Sequence, residues 1–143
     1  MLTGLDTGFF FALQEKHPLA LSVWQKHETI TSVIVLYELQ KKLLKGEFNE
    51  WSTIVSDISE AVDVVPVDEE TALQASYIGH GTGIPGLDAL ILSSLLVPDC
   101  SEIYTTDSHF ELYRKKGLKI VNLYSQTSLS PRRFFGWSKV FSG

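Results

Sequence analysis

Four carboxylate side chains lie at the beginning, at the end or within apolar segments of the sequence. Asp6 closes the apolar run that begins at Leu2, Asp107 closes a later run, Asp88 opens another, and Glu38 has apolar neighbours. Carboxylates meeting in one place would repel each other by several kcal/mol at an effective dielectric of about 20. A cation would relieve that repulsion, and an all-carboxylate set without Cys or His is typical of Mg²⁺ or Mn²⁺.

Each of these acids also has an ordinary structural interpretation. Asp6, Asp88 and Asp107 all stand near the start of a predicted helix, where an aspartate that caps backbone N–H groups contributes about 1 kcal/mol. Glu38 could pair with a basic side chain. Only the convergence of all four argues for a cation, and that depends on the elements that carry them.

Short apolar runs alternate with longer stretches of helical period, which predicts an α/β fold with helices covering a parallel sheet. The predicted strands span residues 2–6, 28–31, 62–66, 101–106 and 118–123. The carboxyl ends of parallel strands form the ligand crevice of such a sheet. We therefore expect Asp6 and Asp107 to lie at the same edge.

Helices are predicted between these strands, with one break at the His17-Pro18 pair. They cover residues 9–24, 33–44 with Ser32 as N-cap, 47–59, 69–80 with Asp68 as N-cap, 88–97 and 107–116. Lys41, Lys42 and Lys45 mark the solvated side of the second of these, so Glu38 is expected to point inward.

The 143 residues, 44% of them apolar, fit a single domain with one core. We expect a core over residues 2–123 and a basic, aromatic tail over residues 124–143. Cys100 is the sole cysteine, so no internal disulfide forms and a reducing cytoplasm is the expected location. The apolar run at residues 9–13 is far shorter than the ~18 residues of a membrane span. We expect no export signal, no membrane partner and a soluble protein.

Charge is distributed unevenly along the chain. The formal net charge is −5, yet all 17 acidic residues precede Leu112, and only basic charges follow it. Those basic residues are Arg114, Lys115, Lys116, Lys119, Arg132, Arg133 and Lys139, with six aromatic residues among them. This asymmetry indicates a polyanion or an acidic partner, or else a solvated helix face and a tail held by its aromatic residues.

Four short motifs occur in chain order and together resemble the PIN-domain ribonucleases, of which VapC-type toxins are small members. The resemblance runs from about Leu2 to Leu123, and four motifs in order at this spacing are fairly specific. They read Leu5-Asp6-Thr7, Tyr37-Glu38-Leu39, Gly86-Leu87-Asp88-Ala89 and Thr105-Thr106-Asp107-Ser108-His109.

The resemblance implies a three-layer α/β/α fold with about five parallel strands and a metal-dependent endoribonuclease activity. Asp6, Glu38, Asp88 and Asp107 would be the catalytic residues and would hold one or two Mg²⁺ or Mn²⁺ ions. A metal-activated water would attack the phosphorus in line, leaving a 5′ phosphate and a 3′ hydroxyl. Thr105 would orient the site through its hydroxyl, and Thr7 would do likewise.

One position departs from the family pattern. The family often has a further acid two residues after the last aspartate, and here that position is His109. The imidazole could hydrogen-bond a phosphate, tune the groups around the metal or weaken metal binding. A degenerate PIN domain that binds RNA or protein without cutting is therefore the alternative function.

The resemblance also implies partners. These are an RNA substrate, a second copy of the chain in a homodimer and, for a toxin, a cognate antitoxin that inserts a basic side chain among the carboxylates. Because the acidic edge repels RNA, we expect RNA binding as well as cleavage to require the cation. The basic residues expected to contact RNA are Lys41, Lys42, Arg114, Lys115, Lys116, Arg132 and Arg133.

Two other motifs indicate different chemistry. Asp6-Thr7-Gly8 matches the triplet of aspartic proteases, but those enzymes are all-β, so this alternative is remote. Gly81, Gly83 and Gly86 match the dinucleotide fingerprint, but a helix rather than a strand precedes them. The four histidines have no paired zinc spacing.

Overall fold

A computed structural model describes residues 2–124, and five parallel strands form its central sheet. The strands are β1 (Leu2–Leu5), β2 (Glu28–Ser32), β3 (Asp63–Val65), β4 (Glu102–Thr105) and β5 (Lys119–Asn122). Their order is β3-β2-β1-β4-β5, with β1 at the centre. The chain adds β2 and β3 on one side of β1 and then β4 and β5 on the other. The carboxyl ends of β1 and β4 are therefore the switch point where such sheets form a crevice.

The register of the sheet aligns the ends of the central strands. Leu5 is paired with Thr31 of β2 on one side and Tyr104 of β4 on the other. The amide of Asp6 extends this ladder by donating to the Tyr104 carbonyl at 3.1 Å. Asp6 and Thr105 consequently lie next to each other at the same edge of the sheet.

In the described part of the chain, six α-helices cover the sheet in a three-layer α/β/α arrangement, which confirms the predicted fold class. They are α1 (Thr7–Gln14), α2 (Pro18–Lys26), α3 (Val33–Leu44), α4 (Ile54–Ala61), α5 (Glu69–Thr82) and α6 (Gly86–Leu96). Fully buried helix side chains, among them Phe9, Phe10 and Leu92, share one core with strand residues. Consecutive residues of β1 and β4 are buried, so both faces of the sheet are covered. Such burial on both faces is typical of parallel sheets.

The helix predicted over residues 47–59 is wrong in its first half. A short 3₁₀ turn covers Asn49–Trp51, and α4 begins only at Ile54. Phe48 has a left-handed backbone conformation, with φ of 59°, and its buried ring lies 4.3 Å from that of Phe11. This long-range contact turns the chain before a helix can start.

The helix predicted over residues 107–116 is also wrong. A 3₁₀ turn covers Ser108–Leu112, and Phe110 is its one buried residue. Residues 114–117 are exposed, so no apolar stripe stabilises further turns.

Two helix boundaries differ from the predicted ones, and the difference affects the candidate site. α5 continues to Thr82 and ends at Gly83, which has a φ of 82°. α6 begins at Gly86, with Pro85 in the N-cap position. Asp88 therefore lies in the first turn of α6 and does not cap it. Within residues 2–124, no helix is long and apolar enough to cross a membrane.

Candidate metal centre

Asp6 lies at the carboxyl end of β1, where it is buried and also caps α1. Its Oδ1 accepts the Thr7 amide at 2.6 Å, and its Oδ2 accepts the Thr105 hydroxyl at 2.6 Å. Burial raises the pKa of Asp6 to about 6, against the opposing effect of these two hydrogen bonds, and the nearby Glu38 and Asp107 charges raise it further. Two neighbours thus fix both oxygens of this carboxylate.

Glu38 reaches the same place from the middle of α3. The Thr7 hydroxyl donates to Glu38 Oε1, which links the start of α1 to α3. Glu38 is half-buried, as expected for a side chain that points inward. Lys41 and Lys42 follow it by one turn of α3 and so lie on the same face of the helix, not on the opposite one. They lie over aromatic rings, Lys41 Nζ 5.6 Å from the Tyr37 centroid and Lys42 Nζ 5.7 Å from that of Phe11.

Thr105, at the end of β4, connects two of the acids. Its hydroxyl donates to Asp6 and accepts the Asp107 amide at 2.9 Å. Asp107 in turn accepts the His109 amide at 2.9 Å and caps the 3₁₀ turn. Asp6 and Asp107 therefore combine the capping role that was the alternative interpretation with a place in the acidic cluster.

Asp88 completes the cluster from the first turn of α6. Burial raises the pKa of Asp88 to about 7, with further contributions from a hydrogen bond and charge interaction with Asp107 and from the Asp6 and Glu38 charges. The structure thus brings all four predicted acids within electrostatic reach of one another.

His109 extends the cluster toward solvent. Its Nδ1 lies 3.0 Å from Asp107 Oδ1 and 3.7 Å from Asp88 Oδ2. One ligand atom from each of these three residues lies within 4.8 Å of the others. The position at which the sequence departs from the family pattern is therefore part of the same site.

Gly8 is a site-forming residue that the sequence reasoning did not identify. A Cβ atom at this position would lie 1.8 Å from Thr106 Oγ1 and 2.9 Å from Thr106 Cβ. Only glycine lets the first turn of α1 approach the end of β4 this closely. A glycine one residue after Asp6-Thr7 was the available signal, but close packing between distant segments cannot be deduced from one sequence.

The donors in this site fit a divalent cation. Carboxylate oxygens suit Mg²⁺ and Mn²⁺. Burial raises the pKa values of Asp6 and Asp88, and the charges of the neighbouring acids raise them further, so a cation here would stabilise the charged forms. Asp6, Glu38, Asp88 and Asp107 are the residues that could hold such an ion.

Three of the basic residues predicted to contact RNA line a cavity that is separate from the four acids. Arg114, Lys115 and Lys116 are exposed after the 3₁₀ turn and line a cavity of about 480 Å³ whose lining includes none of the four acids. The Lys115 Nζ atom also lies 3.8 Å from Asp99 Oδ1. Arg132 and Arg133 lie outside the described residues.

The aspartic protease triplet and the dinucleotide fingerprint do not lie in the structural contexts that their chemistry requires. Asp6-Thr7-Gly8 lies between a parallel strand and a helix, so the aspartic protease alternative is excluded by the all-β fold it requires. Gly81 lies within α5, so no strand precedes the glycine-rich segment.

A parallel sheet between helix layers, with carboxylates gathered at its switch point, defines an α/β protein with a candidate divalent-metal centre. The sequence matches the PIN domain over residues 4–116, so the chain belongs to the PIN domain family, a family of nucleases. The predicted family is thereby confirmed. No curated protein matches the chain significantly.

Solved structures with similar folds include several toxin–antitoxin proteins. A toxin–antitoxin complex from Klebsiella pneumoniae matches with a TM-score of 0.68 and 14% identity, covering 85% of this chain and 98% of the other. VapBC2 from Rickettsia felis, bound to a DNA fragment from its promoter, has a TM-score of 0.64 and 21% identity over 85% and 98%. VapC20 from Mycobacterium tuberculosis, a toxin that cleaves the sarcin-ricin loop, has a TM-score of 0.62 and 20% identity over 76% and 92%.

Proposed function

We propose that this chain is an endoribonuclease that depends on Mg²⁺ or Mn²⁺ held by Asp6, Glu38, Asp88 and Asp107. The observation that carries this proposal is the convergence of the four acids. The Thr105 hydroxyl joins Asp6 to the Asp107 amide, Thr7 joins Asp6 to Glu38, and Asp88 lies within reach of the charges of the other three. Both Asp6 and Asp88 have pKa values raised well above the ordinary range, in part by the charges of the other acids. A fold that gathers acids at such a cost is consistent with a cation-binding role.

The residues of this site have different roles. When bound, a divalent cation supplies an activated water and stabilises the leaving oxygen of the phosphodiester. Thr105 and the Thr7 amide hold the Asp6 oxygens in place, while the Thr7 hydroxyl holds Glu38. Asp88, with a pKa of about 7, carries a proton part of the time near neutral pH, so cation binding should release a proton from its carboxyl group.

RNA is the substrate that the charge pattern favours. Lys41 and Lys42 follow Glu38 by one helical turn, and Arg114, Lys115 and Lys116 form an exposed basic group. Arg132 and Arg133 add further positive charge to the sequence. Because the carboxylates repel phosphate, these residues engage RNA only when a cation neutralises the acidic edge.

A role as the toxin of a toxin–antitoxin pair is supported by the fold shared with VapBC and VapC proteins. The partner would be an antitoxin whose basic side chain enters the carboxylate cluster in place of the cation. Asp88, Asp107 and His109 are open enough to solvent to receive it. A homodimer remains a prediction of the resemblance, and a cytoplasmic location remains a prediction of the single cysteine.

Cleavage of single-stranded RNA by the purified chain tests the proposed activity. We expect cleavage with Mn²⁺ or Mg²⁺, none in EDTA, and none with Asp88→Asn in either metal. Asp99→Asn is the matched control, since the Asp99 side chain is 89% exposed and its left-handed φ of 60° is one that asparagine tolerates. Cleavage that survives Asp88→Asn would come from a contaminant and would contradict the proposal.

A degenerate PIN domain that binds without cutting is the second candidate. The observation that favours it is the contact of His109 with Asp107, because a histidine paired with this acid could compete with the cation. Cation-independent RNA binding by the wild type, retained in Asp88→Asn and without cleavage in either, would establish this alternative.

A further inference from the structure

We propose that His109 is itself a ligand of the cation, and that this nitrogen donor makes the site prefer first-row transition ions such as Mn²⁺ and Co²⁺ to Mg²⁺. This inference rests on the proposed metal-dependent function and identifies the ion class that the site selects. It assigns a role to the residue at which the sequence departs from the four-acid pattern.

The spacing of the donor atoms fits one side of a six-coordinate ion. Adjacent ligands of an octahedral ion with bonds of about 2.1 Å lie about 3 Å apart. The Nδ1 atom of His109 is 3.0 Å from Asp107 Oδ1 and 3.7 Å from Asp88 Oδ2, and one donor from each residue lies within 4.8 Å of the other two. The three residues can therefore present adjacent donors without a change in the backbone.

The backbone holds the imidazole at this place. The His109 amide donates to Asp107 Oδ1 at 2.9 Å, so the carboxylate that faces Nδ1 also fixes the main chain of the histidine. Half of the imidazole is exposed, and its Nδ1 is directed at the two acids. The neutral tautomer with its proton on Nε2 leaves an electron pair on Nδ1 for a cation.

Nitrogen ligation changes which ions bind best. Mg²⁺ prefers oxygen donors and loses its water reluctantly, whereas affinity for nitrogen-containing sites rises from Mn²⁺ through Co²⁺. A site of oxygens alone would discriminate little against Mg²⁺. One imidazole among carboxylates therefore favours Co²⁺ and Mn²⁺ over Mg²⁺.

Two other roles for His109 make different predictions. A histidine that only hydrogen-bonds Asp107 orients that carboxylate for any ion, so removing it would weaken all ions alike. A histidine that contacts only the RNA phosphate would leave ion affinity unchanged. Selective loss of transition-ion affinity distinguishes ligation from both.

Calorimetric titration of the full chain with Mn²⁺, Co²⁺ and Mg²⁺ measures this selectivity. In His109→Ala we expect the Mn²⁺ and Co²⁺ affinities to fall by about 10-fold or more, and the Mg²⁺ affinity to change by less than about 3-fold. His109→Asp restores an oxygen donor and should raise Mg²⁺ affinity, which lowers the preference for Mn²⁺. His80→Ala is the matched control, since His80 is exposed near the end of α5.

Electron spin-echo spectroscopy of the Mn²⁺-loaded chain provides a second readout that does not depend on activity. A directly bound imidazole nitrogen modulates the echo. We expect this modulation in the wild type and in His80→Ala, and its loss in both His109 variants.

The two measurements separate the failure of this inference from that of the proposed function. If the three ions bind the wild type but the Mn²⁺ form shows no nitrogen modulation, or if His109→Ala weakens all three ions equally, the His109 assignment is overturned while the metal site stands. If none of the ions binds the wild type, both proposals are overturned.

Discussion

The inner and outer halves of the acidic cluster are built differently. The inner half consists of Asp6, held by the hydroxyl of Thr105 at the end of β4, and Glu38, held by the hydroxyl of Thr7 at the start of α1. The outer half consists of Asp88, Asp107 and His109, whose side chains are 19%, 34% and 51% exposed and contact one another. Asp6, by contrast, is only 4% exposed.

The difference indicates which part of the site the fold fixes in advance. Asp6 is buried, Glu38 is half-buried, and both are hydrogen-bonded to threonine hydroxyls, so their positions are set by the packing of α1, α3 and β4. Outer-half groups face solvent, and a cation, a phosphate or a partner's basic side chain can complete their interactions. We therefore expect inner-half substitutions to change both stability and function, and outer-half substitutions to change mainly function.

The largest expected effect is the loss of RNA cleavage in Asp6→Asn and Asp88→Asn. Each removes one carboxylate from the proposed cation site, so we expect cleavage with Mn²⁺ to fall by at least about 100-fold, the scale for losing one preorganised charge-stabilising group. The two variants should differ in metal-free melting temperature. Asp88→Asn relieves repulsion at little cost, whereas Asp6→Asn also changes the buried hydrogen bond to Thr105.

Melting curves in EDTA and cleavage assays check this contrast. The comparison fails if Asp88→Asn destabilises the chain more than Asp6→Asn does, because the outer half would then be the structurally fixed one.

The second prediction concerns the pH dependence of stability without metal. Burial raises the pKa of Asp6 to about 6 and that of Asp88 to about 7, above the ordinary value of 3.8. The folded chain therefore binds protons more tightly than the unfolded chain, so this contribution to stability is complete below about pH 4 and is lost as the pH rises to about 7. A two-unit difference at Asp6 corresponds to about 3 kcal/mol at most.

Denaturant unfolding in EDTA at pH 5 and pH 8 measures this loss. His17, whose pKa burial lowers, acts in the opposite direction, so the informative quantity is the difference between wild type and Asp6→Asn. We expect the wild type to lose more free energy of unfolding than the variant over this range, and saturating Mn²⁺ to remove the difference. Parallel pH profiles would show that the Asp6 carboxylate is not destabilised by its surroundings.

The third prediction isolates the hydroxyl that joins the inner half to Asp107. Thr105→Val keeps the shape of the residue but removes the donor to Asp6 and the acceptor of the Asp107 amide. We expect Mn²⁺ affinity to fall by about 10-fold, because a group that orients a metal ligand is removed. Thr105→Ser retains the hydroxyl and should bind Mn²⁺ within about 2-fold of the wild type. If both variants lose the same Mn²⁺ affinity, the loss comes from altered packing and not from the missing hydroxyl.

The sequence was sufficient to predict the fold class and that four acids lie close together, since both follow from local patterns; the metal-binding role of these acids stays a prediction. Strand ends and helix faces can be recognised from apolar spacing, and these place Asp6, Glu38 and Asp107 at one edge of a parallel sheet. Asp88 was predicted on the same basis, although its helix begins two residues earlier than expected.

Contacts between distant segments could not be predicted in this way. Phe48 turns the chain because its ring packs on Phe11, and the first turn of α1 fits only because Gly8 lacks a side chain near Thr106. The direction of the His109 imidazole depends on the 3₁₀ turn that forms in place of a predicted helix. Each of these features depends on which surfaces meet in three dimensions, and a single sequence carries no direct signal for that.

The smallest expected effect concerns the basic residues outside both halves of the cluster. Removing one basic side chain that binds a phosphate of single-stranded RNA reduces the slope of log affinity against log salt by about 0.7. If all three side chains bind phosphate, replacing Arg114, Lys115 and Lys116 by alanine should reduce the slope by about 2, and replacing Lys41 and Lys42 by about 1.4.

Binding of single-stranded RNA to Asp88→Asn over a range of salt, with Mn²⁺ present, measures these slopes without cleavage of the probe. Lys45→Ala serves as a control, since Lys45 is exposed beyond the last turn of α3. Unchanged slopes in the triple variant would mean that the exposed group after the 3₁₀ turn does not face RNA. The acidic cluster would then rely on Lys41 and Lys42, which follow Glu38 by one turn of the same helix, to position the substrate.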